Sequence, residues 1–273
     1  MNTSTKQRLL IVTPTLGDSE FLQQTLDSIS SLTFPITHIL SSPASKVEAL
    51  KARCPKCIVV EDAGKSGGIY GALNCAIEQA SGNWDWFTYI NDDDLLGPDF
   101  EKVYLQHCSK EKAEDVLYGN VRLIDSKARP LGFITNTPSP DLIPAMLQQQ
   151  MSPLNQQGML FSRKCVEFLK GFDLQYKLCA DLDFWARAYA GQFPFVYAPY
   201  EVGQFRIRAG QLSGNVNLTH NELSDIVRRH FPHPISWVHR KIALLSYRLF
   251  NLPRYLHRIR KVGLKTSEDV LAS

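Results

Sequence analysis

Two groups of carboxylates in this 273-residue chain have the spacing of reacting groups. The first is Asn91-Asp92-Asp93-Asp94, three consecutive acids that follow the apolar run WDWFTYI. Like charges beside a hydrophobic strand are costly unless a cation offsets them. A hard divalent ion, Mn²⁺ or Mg²⁺, takes oxygen ligands and commonly shares them with a diphosphate. The competing reading is a solvated turn in which Asp92 or Asp94 caps a helix starting near Pro98. The second group is Asp181 and Asp183 in CADLDFWAR, two acids among Leu182, Phe184 and Trp185. Capping a helix N-terminus requires one acid and accounts for either, but not for both. A carboxylate at a helix start beside a cleft can instead act as general base toward an alcohol.

These acids need a scaffold, and the hydrophobic pattern supplies one. RLLIVTPT reads as a buried parallel strand, followed by a helix through Phe21, Leu22, Leu26 and Ile29 with Asp18 or Ser19 as N-cap. A strand at Ile36 to Ser41, a helix at Val47 to Ala52 and a strand at Cys57 to Glu61 continue the alternation. IYGALNCAIEQA has the stripe of an amphipathic helix, and WDWFTYI is a central strand that delivers the acids. Ligands of open α/β sheets bind beyond the carboxyl ends of strands, so Thr13 to Thr15, Ser41 to Ser45 and Asn91 to Asp94 share one rim. Further on, Val116 to Ile124 and Met159 to Ser162 read as strands and Pro140 to Gln150 as a helix. A helix then starts at Ala180, and a short strand at Phe195 to Ala198 runs into the loop FRIRAGQLSGN.

Other chemistries fail on specific residues. GKS at Gly64 to Ser66 lacks the upstream glycine of a P-loop, since Val59 stands there, and no GxGxxG follows the first strand. TPTLGDSEF lacks the Gly-rich loop with Arg and Lys that a sugar-phosphate nucleotidyltransferase needs after its first strand. The six cysteines are scattered and read as reduced; Cys54 and Cys57 form a CxxC with no second pair at zinc spacing. MNTSTKQRLLIVTPT has neither a signal peptide nor a membrane-spanning run, which predicts a cytoplasmic protein.

Charge is unevenly placed. Residues 228–265 hold ten Lys or Arg and no Asp or Glu, while the rest of the chain is acidic on balance. With its aromatic and aliphatic residues, this segment either lies on an anionic membrane surface or packs on the catalytic domain or a second subunit. Nucleic acid is not expected as a partner, because no binding motif accompanies the basic segment.

The order VTPT, SGGIYGALNCAIEQASGNWDWFTYINDDDLLGPDF, GFDLQYKLCADLDFWAR and FRIRAGQLS resembles family 2 glycosyltransferases of the GT-A fold. The likeness spans about residues 8 to 215 and is greatest to members carrying GIYDAxN, LNxDDxLxP and GFDExYxxAxDxDxWxR. It implies an α/β, Rossmann-like, mixed but mainly parallel sheet flanked by helices. The catalytic domain would be residues 1–217, with a nucleotide-binding half at about 8–98 and an acceptor half at about 99–217. A basic helical segment, 218–273, follows.

By the same resemblance, Thr13, Pro14 and Thr15 lie under the nucleotide, Tyr70, Asn74 and Asp92 belong to the nucleotide-sugar site, and Asp92 to Asp94 overlay the acidic motif that contacts ribose and holds the metal, with Asp92 at its variable position. Asp93 and Asp94 match the paired metal-holding aspartates. Asp181 matches the general base, with Asp183 as the acid beside it, and Arg206 and Arg208 sit on a mobile loop that closes on the diphosphate. Ser42 stands where the family often has an Asp that reads uracil, and Gly71 replaces the Asp of GIYDAxN. The implied activity is metal-dependent, inverting transfer from a nucleotide-sugar, with UDP favoured, to a glycan or lipid-linked acceptor in bacterial surface polysaccharide synthesis. The alternatives are an inactive nucleotide-sugar-binding protein and a nucleotidyltransferase.

Overall fold

The first strand, β1 (Leu9–Pro14), is buried along its whole length, because its side chains alternate between two core layers. Leu10 and Val12 join one layer, Leu9 and Ile11 the other. The computed structural model describes residues 8–80, 82, 84–108, 114–207 and 216–262. On either side of β1 lie β2 (Ile36–Pro43) and β4 (Trp86–Tyr89), both parallel to it, and β3 (Ile58–Asp62) extends the parallel set beyond β2. The crossovers are α1 (Leu22–Ser30), α2 (Ala44–Arg53) and α3 (Gly68–Gln79). Parallel neighbours require such crossovers, and their strand ends then face one way.

The second half of the sheet is mixed. After β5 (Leu95–Leu96) and α4 (Phe100–His107) come β6 (Val116–Ile124), β7 (Pro130–Phe133), the short α5 (Ile143–Leu147) and β8 (Met159–Ser162). The last helices and strand are α6 (Arg163–Leu169), α7 (Ala180–Ala190), β9 (Phe195–Arg206), α8 (Val216–His230) and α9 (Trp237–Val262). The sheet order is β3-β2-β1-β4-β8-β6-β9-β5, with β7 paired to β6 off this path. Strand β8 runs antiparallel to both β4 and β6, β9 parallel to β6, and β5 antiparallel to β9.

Two sequence expectations change here. The short strand expected at Phe195 to Ala198 is a twelve-residue strand, so FR of the expected loop belongs to β9 and pairs with β6 up to Ile124↔Arg206. The rest of that loop, residues 208–215, lies outside the described residues. Helix α8, assigned above to the appended segment beyond residue 217, contributes Leu223 and Ile226 to the main core. Apolar periodicity signals a helix but carries no information about which body it packs on.

Candidate active site

The C-terminal ends of β1, β3 and β4 open into a cleft of about 940 Å³ whose lining includes Pro14, Thr15, Asp62, Asn91, Asp92 and Asp93. Tyr70, Ala72 and Ile69 of α3 line it as well, and so do Gln156, Gln157, Lys177 and Asp181. It therefore joins the parallel half of the sheet to the N-terminal turn of α7.

The acidic loop is held by its backbone. Ser19 Oγ donates to the Asp92 carbonyl (2.9 Å), Arg206 Nε to that of Asp93 (2.7 Å) and Thr25 Oγ1 to that of Asp94 (2.8 Å). Three successive carbonyls thus have donors from three separate elements, which leaves the side chains to be aimed. Asp92 faces the cleft and accepts from Thr15 Oγ1 at 2.5 Å; Asp93 also lines the cleft. Asp94 points away. Its carboxylate is fully buried and accepts from the Arg206 and Gln157 side (Arg206 N, 2.8 Å; Gln157 Nε2, 3.1 Å) and from Asn91 Nδ2. Burial, reinforced by the charge of Asp93, holds its carboxyl well above the usual carboxylate range. The pair that faces the cleft is therefore Asp92 and Asp93, not Asp93 and Asp94.

No group of three or more His, Cys, Asp or Glu able to hold a metal occurs among the described residues. Two cleft-facing carboxylates fit a different arrangement, a hard divalent ion that completes its shell with diphosphate oxygens and water. The donor set is all oxygen, as Mg²⁺ and Mn²⁺ prefer.

Arg206 corrects the expectation of a mobile, diphosphate-closing loop. It sits in β9 with no exposed surface, over the ring of Phe21 at 4.3 Å. Besides Asp93, its guanidinium donates to the carbonyls of Asp125 (2.9 Å) and Ser126 (3.2 Å) and to Gln24 Oε1 (2.9 Å). Each donor engaged there fixes the acidic loop to β9 and the β6–β7 turn. Arg208 lies outside the described residues. Among the described residues that line the cleft, Lys177 is the one Lys or Arg.

Asp181 opens α7 at the other wall. Its Oδ1 accepts from Leu182 N (2.8 Å) and lies 3.1 Å from the hydroxyl of Tyr70, which is also 3.0 Å from the carbonyl of Leu178. Burial pushes its carboxyl above the usual range, against those two hydrogen bonds, which favour the charged form. Asp183, two residues on, faces elsewhere. It is buried and accepts from Arg187 Nε (2.7 Å) with His230 Nε2 at 2.9 Å, so it ties α7 to the end of α8 and does not line the cleft. A helix turns 100° per residue, so two acids two apart point nearly opposite ways.

The GIYGALN segment divides similarly. Tyr70 faces Asp181, whereas Asn74 is outside the lining and clamps the chain before α7: it accepts from Phe172 N (2.7 Å) and donates to Phe172 O (2.9 Å). Gly171 permits this approach, with φ of +87° and Asn74 Oδ1 2.6 Å from where a Cβ would stand. Thr13 is fully buried and shares a 3.0 Å hydrogen bond with His38, itself neutral because burial lowers its pKa to about 4. Ser42 is fully buried too, outside the lining, and its Oγ has no protein partner among the described residues. At the adjacent strand end Asp62 reaches the cleft, with Ser41 Oγ and Gly64 N donating to it at 2.8 and 2.6 Å.

Residue types alone did not point to Gln156 and Gln157 or to Glu222. Gln157 packs against Gly203, where any Cβ would collide with the Gln157 carbonyl. Glu222 of α8 is buried and accepts from three consecutive amides, Lys177 N (2.8 Å), Leu178 N (2.9 Å) and Cys179 N (2.8 Å), immediately before Asp181.

A parallel sheet half with acids at its strand ends, closed by a mixed half, is the architecture of GT-A glycosyltransferases. The family model described as Glycosyl transferase family 2 matches residues 10–164, more than half of the chain, and the chain belongs to that family. It is 27% identical over 186 residues to an uncharacterized glycosyltransferase of Mycobacterium tuberculosis, covering 65% of this chain and 67% of that one. Staphylococcus aureus TarS 1-349 in complex with UDP-GlcNAc superposes with a TM-score of 0.60 at 14% identity, over 96% of this chain and 78% of that one. The chain spans 44% of the longer TarS structure. The mannosyltransferase PcManGT from Pyrobaculum calidifontis, in complex with GDP-Man and Mn²⁺, gives a TM-score of 0.57 at 14% identity, over 98% and 80% of the two chains.

Proposed function

We propose that this chain transfers a sugar, with inversion, from a nucleotide-diphosphate donor to a hydroxyl of a glycan or lipid-linked acceptor. The observation that carries this reading is that Asp181 lines the same cleft as Asp92 and Asp93, from the opposite half of the fold. The solved relatives bind UDP-GlcNAc or GDP-Man in the same fold, which supports a sugar nucleotide as donor.

Asp181 takes the proton of the acceptor hydroxyl as its oxygen attacks the anomeric carbon from the face opposite the diphosphate. The bond between that carbon and the diphosphate oxygen breaks, and the nucleoside diphosphate leaves with the electron pair. The sugar passes through an oxocarbenium-like state, as in hydrolytic glycoside cleavage. Asp92 and Asp93 would hold a divalent ion, Mn²⁺ or Mg²⁺, whose chemistry is to stabilise charge on the diphosphate oxygens. Thr15 orients Asp92, Tyr70 orients Asp181, and Lys177 adds a cation to the cleft.

The test is release of nucleoside diphosphate from a panel of UDP-, GDP-, dTDP- and CDP-sugars with Mn²⁺, read beside thermal shifts with the free diphosphates. Turnover of at least one donor, with UDP-sugars favoured, is expected. Nucleotide stabilisation with no turnover of any donor or acceptor would leave a binding protein instead.

A further inference from the structure

Helix α9 has two opposite faces that carry apolar residues, and one of them packs on the rest of the described residues. On the inner face Ala243 and Tyr247 are buried with Ala145 and Met146 of α5. Asn251 is fully buried and donates to the Asn136 carbonyl (2.8 Å), and Arg254 reaches Asn120, Asn136 and Asn251. Those contacts fix how the helix is rotated. They leave Val238, Ile242, Leu245, Leu249, Leu252, Leu256 and Ile259 pointing outward, each 46 to 60% exposed. These seven recur at alternate steps of four and three, so at 100° per residue they share one arc of about 100° along about 32 Å of helix. With Trp237, α9 holds eight of the thirteen exposed large hydrophobic residues among those described. A continuous apolar stripe of this kind marks an interaction surface.

Steps of four and three also suit a coiled-coil seam with a second copy of the chain. Two features count against that occupant. Pro253 lies inside α9, where it removes an amide donor and its ring crowds the preceding turn, a residue ill-suited to the regular helix that a seam needs. The helix also contains seven Lys or Arg and no Asp or Glu, so a second α9 would add like charge. The borders of the stripe favour lipid: Lys241 and Arg248 on one edge, alongside Trp237 and Tyr255, and Arg260 on the other. Aliphatic residues edged by basic and aromatic ones are the composition of a helix lying in a bilayer interface.

We propose that the outward face of α9 seats this protein on an anionic bilayer, with the seven aliphatic side chains at the acyl boundary and Lys241, Arg248 and Arg260 at the lipid phosphates. The surface is independent of the transfer reaction, and it would bring the cleft to an acceptor carried on lipid.

The experiment is co-sedimentation of the full chain with vesicles of phosphatidylcholine alone or mixed with phosphatidylglycerol, at low and high salt, without donor or acceptor. The protein is expected to pellet with the mixed vesicles and to be released by salt. The triple variant Leu245→Gln/Leu249→Gln/Leu256→Gln changes only exposed positions. Its binding should fall at least about tenfold while thermal unfolding and nucleotide-induced stabilisation stay as in the parent. Equal pelleting of parent and variant would overturn the proposal. So would absence of the parent from the pellet, or a parent dimer, found by analytical ultracentrifugation, that the variant dissolves without any vesicle binding. Donor hydrolysis measured without vesicles reports separately on the transferase reading.

Discussion

The hydroxyl of Tyr70 lies 3.1 Å from Asp181 Oδ1, so a helix from the parallel half of the sheet touches the carboxylate that opens α7. That contact joins the two walls of the cleft and makes the behaviour of Asp181 depend on α3.

Asp181→Asn should lower kcat about 10²- to 10⁴-fold, the usual loss for a general base, while nucleotide binding followed by thermal shift persists. Near-parental transfer by this variant would show that another group takes the proton.

The pH profile tests the same residue through its neighbour. Because burial raises the Asp181 carboxyl, the acidic limb of kcat/KM should lie above the ordinary carboxylate range, with activity rising as the base loses its proton. Tyr70→Phe removes a hydrogen bond that favours the charged form, so the limb should move to higher pH. A limb that stays in place would mean that the Tyr70 proton goes to the Leu178 carbonyl instead.

Glu222 acts on Asp181 from α8. Its charge raises the Asp181 pKa, so Glu222→Gln should move the acidic limb to lower pH, opposite in sign to Tyr70→Phe. Glu222→Ala leaves three amides, that of Cys179 buried, without their acceptor and should cost about 1–3 kcal/mol in denaturant unfolding. Unchanged stability in the alanine variant would show that water replaces the carboxylate.

The acidic loop predicts an unequal response. Asp93→Asn, or excess chelator on the parent, should abolish turnover and weaken Mn²⁺-dependent stabilisation by UDP, since of the three consecutive acids Asp92 and Asp93 line the cleft and Asp94 does not. Full transfer in excess chelator would rule out a metal held by these acids.

Arg206→Gln should act on the fold. Its guanidinium serves the carbonyls of Asp93, Asp125 and Ser126 from a fully buried position, and its loss should cost about 3–5 kcal/mol of stability. A stable variant with only a raised donor KM would return Arg206 to the diphosphate.

Much of the frame was legible along the chain. Strands Val116–Ile124 and Met159–Ser162 have the bounds their apolar runs imply, and β1 to β4 follow the expected alternation, because hydrophobic periodicity is a local property of sequence. The same locality placed Thr13 to Thr15 and Asn91 to Asp94 at adjacent strand ends. It also limited what could be read beyond them: β9 looked like a short strand and a loop, since a strand that carries Glu201, Gln204 and a terminal Arg206 has no apolar pattern of its own there.

The sequence by itself determined the fold class, the family, and the two acidic segments that meet at the cleft. Tertiary structure alone decided which acid of each segment faces it. Asp92 and Asp93 turn inward and Asp94 is buried; Asp181 lines the cleft and Asp183 pairs with Arg187 and His230. Local pattern names the residue types, whereas direction depends on where Arg206, Gln157, Glu222 and His230, distant in sequence, dock against them. Burial then raises the carboxyls of Asp94 and Asp181, because desolvation depends on every element packed around them.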